Sequence, residues 1–178
     1  MDFSLDGTGT ILASTPGVIR TLLAGLPEEL ICANYGPGTW SPHEVVGHLI
    51  HGEKTDWIPR VRLIIQSGAK IAFEPFDRDG HKGLCGEKTT GELLELFASL
   101  RADNLAELGS LSLTPADLSR RGQHPALGQV TLGELLATWV VHDLNHIAQI
   151  CKGLAFQHRN AVGPWEAYLS ILAPPSPR

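Results

Sequence analysis

The sequence predicts an all-α protein, a four-helix bundle with a long crossover connection, formed as a single domain over residues 1–178. Three observations support this prediction. Capping boxes mark helix starts at Ser41, Thr89 and Thr131, apolar residues recur behind them at spacings of three and four, and no alternating strand pattern competes. The core of the bundle is expected over about residues 15–170.

The first two bundle helices have clear start signals. Thr15 stands before a proline, which is typical of an N-cap followed by the first helical residue, and this helix should end before Pro27. The capping box at Ser41 begins the second helix, which should reach about Gln66. Because proline lacks a backbone donor, we expect a kink or a break at Pro59.

The third and fourth helices begin at the other two capping boxes. The third has an apolar row at helical spacing, consisting of Leu93, Leu96, Phe97, Leu100 and Leu108. The fourth should run to about Cys151, with Gly153 as the residue that ends it. Residues 122–128 should form a loop or a short extended segment, and residues 164–172 a turn or short helix before a proline-rich tail at 173–178.

The connection over residues 68–89 is predicted to be a long loop, and such loops within a compact domain are usually functional or disordered. Asp77, Arg78 and His81 are the best candidates for a lid over a functional site. His81, with an ordinary pKa near about 6.5, is the candidate general acid or base. The alternative is an ordinary solvated loop.

Composition limits the class of protein. The chain has 178 residues, of which 43% are hydrophobic and 19% charged, so it is unlike a disordered chain. Fourteen basic against nineteen acidic residues give a net charge of −5 without a basic face, which argues against general nucleic-acid binding. Short apolar runs and an acidic N-terminus predict no membrane span and a cytoplasmic location.

Two histidines on the fourth predicted helix, His142 and His146, are four residues apart. This spacing places both imidazoles on one face of a helix, about one turn apart. The pair continues an apolar row with Leu135 and Trp139, so both rings should point into the bundle. Gln149 extends the row to a position where it could hydrogen-bond near the pair, and the pair could hold a metal ion.

A third histidine, His48, lies on the second predicted helix, on a face that can turn towards the fourth. His51 is the alternative, but it lies about 120° from the centre of that face at 3.6 residues per turn. We therefore favour His48 as the third ligand and expect His51 to face solvent or to neighbour the ligands. Trp40 should pack on the helix start as a staple or form a wall of the metal pocket.

Three neutral imidazoles suit one divalent transition metal such as Zn, Ni, Cu or Fe. Three protein ligands leave a position open for water or substrate, as catalytic sites do. The ion would lower the pKa of a bound water or thiol and act as a Lewis acid. The alternative is a metal-free bundle in which the histidines are ordinary polar groups of the core.

The remaining polar and apolar features have simpler interpretations. Glu53 is expected in a salt bridge, and Asp143 should pair with a cation of a neighbouring helix or orient a ligand imidazole. The second helix has another apolar row that could pack on the first helix or on another subunit, so we hypothesise a homodimer. That row consists of Val46, Ile50, Trp57, Val61 and Ile64.

Two motifs resemble those of the DinB-like superfamily, also called DinB/YfiT-like. The first is WSPHEVVGHL at 40–49, followed by Glu53, and the second is HDLNHIAQI at 142–150. Their order and separation agree with the family, and the resemblance covers about residues 15–170. The polar stretch over residues 73–81 departs from the common pattern, and the resemblance assigns no reaction to it.

The resemblance implies a four-helix bundle with a long crossover and a divalent metal held by the residues matching His48, His142 and His146. Members of the family are commonly dimers, and some are transferases or isomerases that depend on low-molecular-weight thiols. We therefore expect a metal-dependent enzyme that acts on a small molecule by hydrolysis or thiol transfer. The alternative is a non-catalytic metal-binding module with a role in stress response or interaction.

Overall fold

The computed structural model describes residues 5–173, and the proline-rich tail predicted at 173–178 lies outside this range except for its first residue. Four long helical segments form a bundle. They are α1 (Leu5–Leu23), α3 (Pro42–Thr55) continued by α4 (Trp57–Ser67), α6 (Thr90–Ser110) and α7 (Leu132–Gln157). The shorter regular elements are α2 (Glu28–Ile31), α5 (Lys82–Glu87), β1 (Arg121–His124) and β2 (Gly128–Thr131), with 3-10 turns between them.

The order of the helices around the bundle differs from their order in the chain. Both α1 and α3 pack against α6 and α7. The first and second bundle helices therefore lie diagonally opposite each other, as do the third and fourth. The predicted bundle with a crossover connection is confirmed.

All three predicted capping boxes are present. At the start of α3, the Ser41 hydroxyl accepts the Glu44 N–H while the Glu44 carboxylate accepts the Ser41 N–H at 2.8 Å. Thr89 and Thr131 make the same reciprocal arrangement at the starts of α6 and α7. These helix starts were predictable because each cap uses only residues within one turn.

The first helix begins earlier than predicted, at Leu5, and Pro16 lies inside it. Proline at this position cannot donate to the Leu12 carbonyl, four residues before it. The Arg101 side chain of α6 donates to that carbonyl instead, with Nη1 2.7 Å from the Leu12 oxygen. A contact between distant parts of the chain thus replaces the missing helical bond.

Two other helix bounds also differ from the predictions. The second bundle helix breaks at Asp56, between α3 and α4, so that Pro59 falls in the first turn of α4, where no helical donor is needed. The fourth continues past Gly153 to Gln157. A Cβ at Gly153 would lie 3.4 Å from Pro42, so α7 packs against the start of α3 at this position.

The connection over 68–89 is more ordered than predicted. It contains the 3-10 turn Gly68–Lys70 and helix α5, and the Phe73 N–H donates to the Gln123 carbonyl of β1 at 2.8 Å. Strands β1 and β2 form an antiparallel hairpin, which confirms the extended segment considered for this region. The hairpin and the connection together lie beside α4.

The second apolar row of α3 and α4 is buried within the chain itself, with every member no more than 4% exposed. It therefore presents no surface to another subunit, and this argument for a homodimer is wrong. Within residues 5–173, none of the helices has the length and apolar character needed to cross a membrane.

A buried ion network joins three bundle helices. Arg101 of α6 lies 2.7 Å from Glu53 of α3 and 2.6 Å from Asp143 of α7, and all three side chains are at most 2% exposed. Asn104 donates to the second oxygen of Glu53 at 2.9 Å. Both acids thus form the ion pairs predicted from the sequence, and Asp143 is committed to Arg101.

Replacing Gly47 by alanine should lower the free energy of unfolding by about 1–3 kcal/mol, because the new methyl group would overlap the Cys85 sulfur. Urea denaturation measures the loss, and adding Cys85→Ala should recover most of it. Gly17→Ala is the matched control, since Gly17 is exposed in α1 with no atom within 4 Å of the new Cβ. An equal loss in both variants would contradict this packing argument.

Candidate metal centre

The three histidines predicted as ligands come together between α3 and α7. The Nε2 atom of His142 lies 3.1 Å from Nε2 of His48 and 3.1 Å from Nε2 of His146. One ligand atom from each of the three rings lies within 4.8 Å of the other two. Two separate helices thus bring three imidazole nitrogens to one point.

Local helix geometry explains this convergence. His142 and His146 are one turn apart on α7, and the row that they continue is buried, with Trp139 fully buried and Leu135 at 7% exposure. On α3, His48 is 6% exposed, whereas His51 is only half-buried and lies outside the cluster. The position of each histidine around α3 therefore predicted correctly that His48, and not His51, joins the cluster.

Hydrogen bonding fixes the protonation of one ring. Nδ1 of His146 lies 2.8 Å from the side-chain oxygen of Gln149, and because that oxygen only accepts, Nδ1 carries the proton. The Nε2 lone pair of His146 is then free towards the other two rings. The hydrogen bond expected for Gln149 near the pair is present.

Burial keeps all three rings neutral. It lowers the pKa of His48 to about 2 and that of His142 to about 3, and the neighbouring rings add to both shifts. Burial also lowers the pKa of His146, although its bond to Gln149 opposes the shift. Neutral imidazole is the form of histidine that coordinates metals.

The donor set fits a single transition-metal ion. Zn–N bonds are about 2.0–2.1 Å long, so nitrogens that share one ion come within a few ångströms of each other, as these do. The Nδ1 atoms of His48 and His142 are buried without a hydrogen-bond partner among the described residues. Within that part of the chain, the cluster holds three ligands and no fourth.

Aromatic side chains surround the cluster. The Trp40 ring centroid lies 4.7 Å from that of His48, the Trp57 centroid 5.1 Å from that of His142, and the Phe76 centroid 5.3 Å from that of His48. Trp40 therefore forms a wall of the site, one of its two predicted positions. The roles of Trp57 and Phe76 were not predicted, since only the folded chain brings them to the histidines.

The cluster opens into a cleft of about 1270 Å³. The cleft extends from the three histidines along α3 and α4 to the hairpin, where it is bounded by Phe73 and His124. Asp56 and Arg60 also line it, and neither was predicted as a site residue, although Asp56 shares the helical row of His48. Both residues follow His48 and Gly52 at intervals of four, and this helical spacing is the sequence signal that could have identified them.

The three residues predicted to act from the connection occupy different environments, and of these Arg78 lines the cleft. His81 is fully buried and is not among the residues that line the cleft. Its ring centroid lies 4.8 Å from that of Trp40 and 5.9 Å from that of His48, and burial lowers its pKa. Asp77 is exposed.

Comparison with other proteins agrees with this architecture. The model of the DinB superfamily matches residues 11–150. A Bacillus licheniformis protein named "putative metal-dependent hydrolase" is 31% identical over 144 residues, which are 78% of each chain. An Oceanobacillus iheyensis protein of the same description is 26% identical over 141 residues, which are 77% of this chain and 80% of the relative.

The fold has a counterpart among solved structures. YfiT from Bacillus subtilis, described as a "probable metal-dependent hydrolase with an unusual four-helix bundle topology", superposes with a TM-score of 0.74. The match covers 88% of this chain and 87% of YfiT at 23% sequence identity. Because the family model spans most of the bundle and the first relative exceeds 30% identity over more than two thirds of the chain, the protein belongs to the DinB superfamily.

Proposed function

We propose that the protein is a metal-dependent enzyme in which His48, His142 and His146 hold one divalent ion, and that it acts on a small molecule. The observation that carries this proposal is the convergence of three neutral imidazole nitrogens at the wall of an open cleft. When bound, a divalent transition metal supplies Lewis acidity and a nucleophile at neutral pH. The names of the two relatives support hydrolysis.

The chain contributes the orientation of the ligand rings and aromatic walls beside them. Gln149 holds the His146 ring with Nε2 towards the cluster, and Trp40 and Trp57 shield two of the ligand rings from solvent. The rest of the cleft remains open to a substrate beside the histidines. Three ligands and an open cleft favour catalysis over a purely structural ion, whose coordination the protein usually completes.

Elemental analysis and turnover test the proposal together. Protein purified without a histidine tag should contain one equivalent of Zn, Ni or Fe, and chelation should abolish turnover that the same ion restores. A panel of esters and amides, and of alkylating electrophiles with and without a low-molecular-weight thiol, separates hydrolysis from thiol transfer. Stoichiometric metal without turnover on any of these would favour the non-catalytic module, and absence of metal would reject the site.

Replacing Gln149 by leucine should weaken metal binding by roughly 10–100-fold, because the His146 ring loses the acceptor that fixes its orientation. Competition with a chromogenic chelator measures the affinity. Gln157→Leu is the matched control on the same helix, since the Gln157 amide donates to the Asn34 and Gly153 carbonyls away from the cluster. Equal affinities in wild type and Q149L would contradict this role.

We also propose His81 as the group that exchanges a proton during the reaction, since its ring lies beside those of His48 and Trp40. His81→Ala should reduce turnover by about 10²–10⁴-fold while the metal content stays at wild-type level. The exposed His158 provides a control substitution. Unchanged turnover in H81A would reject the role, and Asp77→Asn tests the second predicted residue in the same assay.

The proposed homodimer now rests on the family resemblance. Light scattering at micromolar concentration measures the mass directly. A mass of twice the 19.2 kDa chain would support the dimer, whereas the mass of a single chain would reject it.

A further inference from the structure

One wall of the cleft is formed by residues four apart along α3 and α4. His48, Gly52, Asp56 and Arg60 all line it, so a single row leads from the histidine cluster towards the hairpin. Gly52 leaves room within this row, because a Cβ there would lie 3.2 Å from Nε1 of Trp57. The last residue of this row, Arg60, carries a positive charge.

Arg60 is held in place by its surroundings. Its Nη2 lies 2.6 Å from the Asp56 carboxylate and 3.4 Å from the Glu74 carbonyl, and its guanidinium lies 5.1 Å from the centroid of the Phe73 ring. The Arg60 side chain is only 11% exposed, and burial lowers its pKa while Asp56 opposes that shift. Within residues 5–173, these polar contacts use Nη2 alone, so Nε and Nη1 keep donors for a ligand.

His124 presents a second donor beside the same ring. Its Nδ1 accepts the N–H groups of Ala126 and Leu127, both at 3.1 Å, so the proton of the neutral imidazole is on Nε2. Burial lowers the pKa of His124, and the charge of Arg60 adds to this shift. The His124 ring centroid lies 6.2 Å from that of Phe73, so Arg60 and His124 both border Phe73.

We propose that Arg60 and His124 form a binding site for the carboxylate of an elongated substrate whose reactive group lies at the histidine cluster. Because Asp56 and Glu74 engage Nη2, Arg60 can offer a charge-assisted hydrogen bond from Nε or Nη1 to one carboxylate oxygen. The Nε2–H of His124 can donate to the other oxygen. Asp56, already paired with Arg60, places a negative charge beside the site and disfavours a dianion such as phosphate. The inference rests on the proposed function only for the chemistry at the opposite end of the cleft.

The helix geometry sets the length of this substrate. Since Arg60 reaches back one turn to Asp56, its guanidinium lies near the level of Asp56, eight residues beyond His48. At 1.5 Å per residue this is about 12 Å along the axis. The reactive group and the carboxylate should therefore be separated by a chain of similar length, as in a long ω-substituted acid.

Calorimetry with paired probes tests the subsite. Alkyl hydroxamates of increasing length, ending in either a carboxylate or a carboxamide, are titrated into the zinc-loaded protein, because the hydroxamate head binds zinc. At the matching length the carboxylate probe should bind at least about tenfold more tightly than the carboxamide probe. Equal affinities at every length would overturn the proposal, and so would a phosphonate probe that binds more tightly than the carboxylate.

Variants assign the effect to Arg60. The double substitution Asp56→Asn/Arg60→Gln removes the pair without leaving a buried charge, and it should abolish the carboxylate preference while binding acetohydroxamate normally. Arg62→Gln is the matched control, since Arg62 lies on the same helix and pairs with Glu107 outside the cleft. If the double variant does not fold, Arg60→Lys keeps the charge, loses the Nε and Nη1 donors and should still reduce the preference. An unchanged preference in either variant overturns the assignment.

The same subsite is measured without metal by comparing hexanoate with hexanamide on the metal-free protein. Zinc binding and acetohydroxamate affinity report on the histidine site, whereas the carboxylate preference reports on Arg60. A preference for hexanoate in a protein that binds no zinc would support the subsite and reject the proposed function. Normal binding of zinc and acetohydroxamate without a carboxylate preference would support the proposed function and reject the subsite.

Discussion

Replacing Arg101 by methionine should lower the free energy of unfolding by about 3–5 kcal/mol. The substitution leaves the Glu53 and Asp143 carboxylates buried without their cation, and it also leaves the Leu12 carbonyl without its donor. A buried charge without a partner costs far more than the contact it loses, because neither water nor another cation can replace it. Urea or guanidinium denaturation monitored by circular dichroism measures the change.

An exposed ion pair provides the comparison. Arg62→Met breaks the pair with Glu107, in which the arginine side chain is 53% exposed, and this should cost at most about 1 kcal/mol. Each variant removes a single arginine, so the difference between the two losses in unfolding free energy measures the effect of burial. Losses of equal size would contradict the importance assigned to the buried network.

The second large effect concerns the metal. Zinc at a hundredfold excess over its dissociation constant should stabilise the wild-type protein by about 2.7 kcal/mol, because the three-histidine site exists only in the folded chain. For a chain of this size, each kcal/mol corresponds to roughly 2–4 °C in Tm. His142→Ala should remove this increase, since its Nε2 lies within 3.1 Å of both other ligands.

Differential scanning calorimetry with and without zinc measures the effect, and elemental analysis gives the stoichiometry. His51→Ala is the control, since His51 is on the same helix as His48 but outside the cluster. It should retain the full increase in Tm. An increase in H142A equal to that of the wild type would place the ion elsewhere.

Local signals in the sequence predicted most of the bundle. The capping boxes at Ser41, Thr89 and Thr131 each depend on residues within one turn, and all three are present in the structure. The position of His48 relative to His51 followed from the helical repeat alone. These features were predictable because neither requires knowledge of a distant part of the chain.

The structure differs from the predictions where residues that are distant in sequence determine the local conformation. Pro16 resembles a helix start, yet α1 continues through it, and Arg101 donates to the Leu12 carbonyl that lacks its helical bond. Gly153 resembles a helix end, yet it lies within α7, where it faces Pro42 at the start of α3. The position of Phe76 beside His48 likewise depends on how the connection folds against the bundle.

The diagonal arrangement of the bundle has a consequence for how the chain folds. Among the four bundle helices, the second and the third follow each other in sequence and also pack closely, through α3 and α6. The middle of the chain can therefore form a helical hairpin before its two ends are placed. Contacts between α7 and the N-terminal half close much longer loops and are entropically costlier to form. Because the histidines are divided between α3 and α7, the ion's site is completed only when α7 docks, and coordination would then lock the last step of assembly.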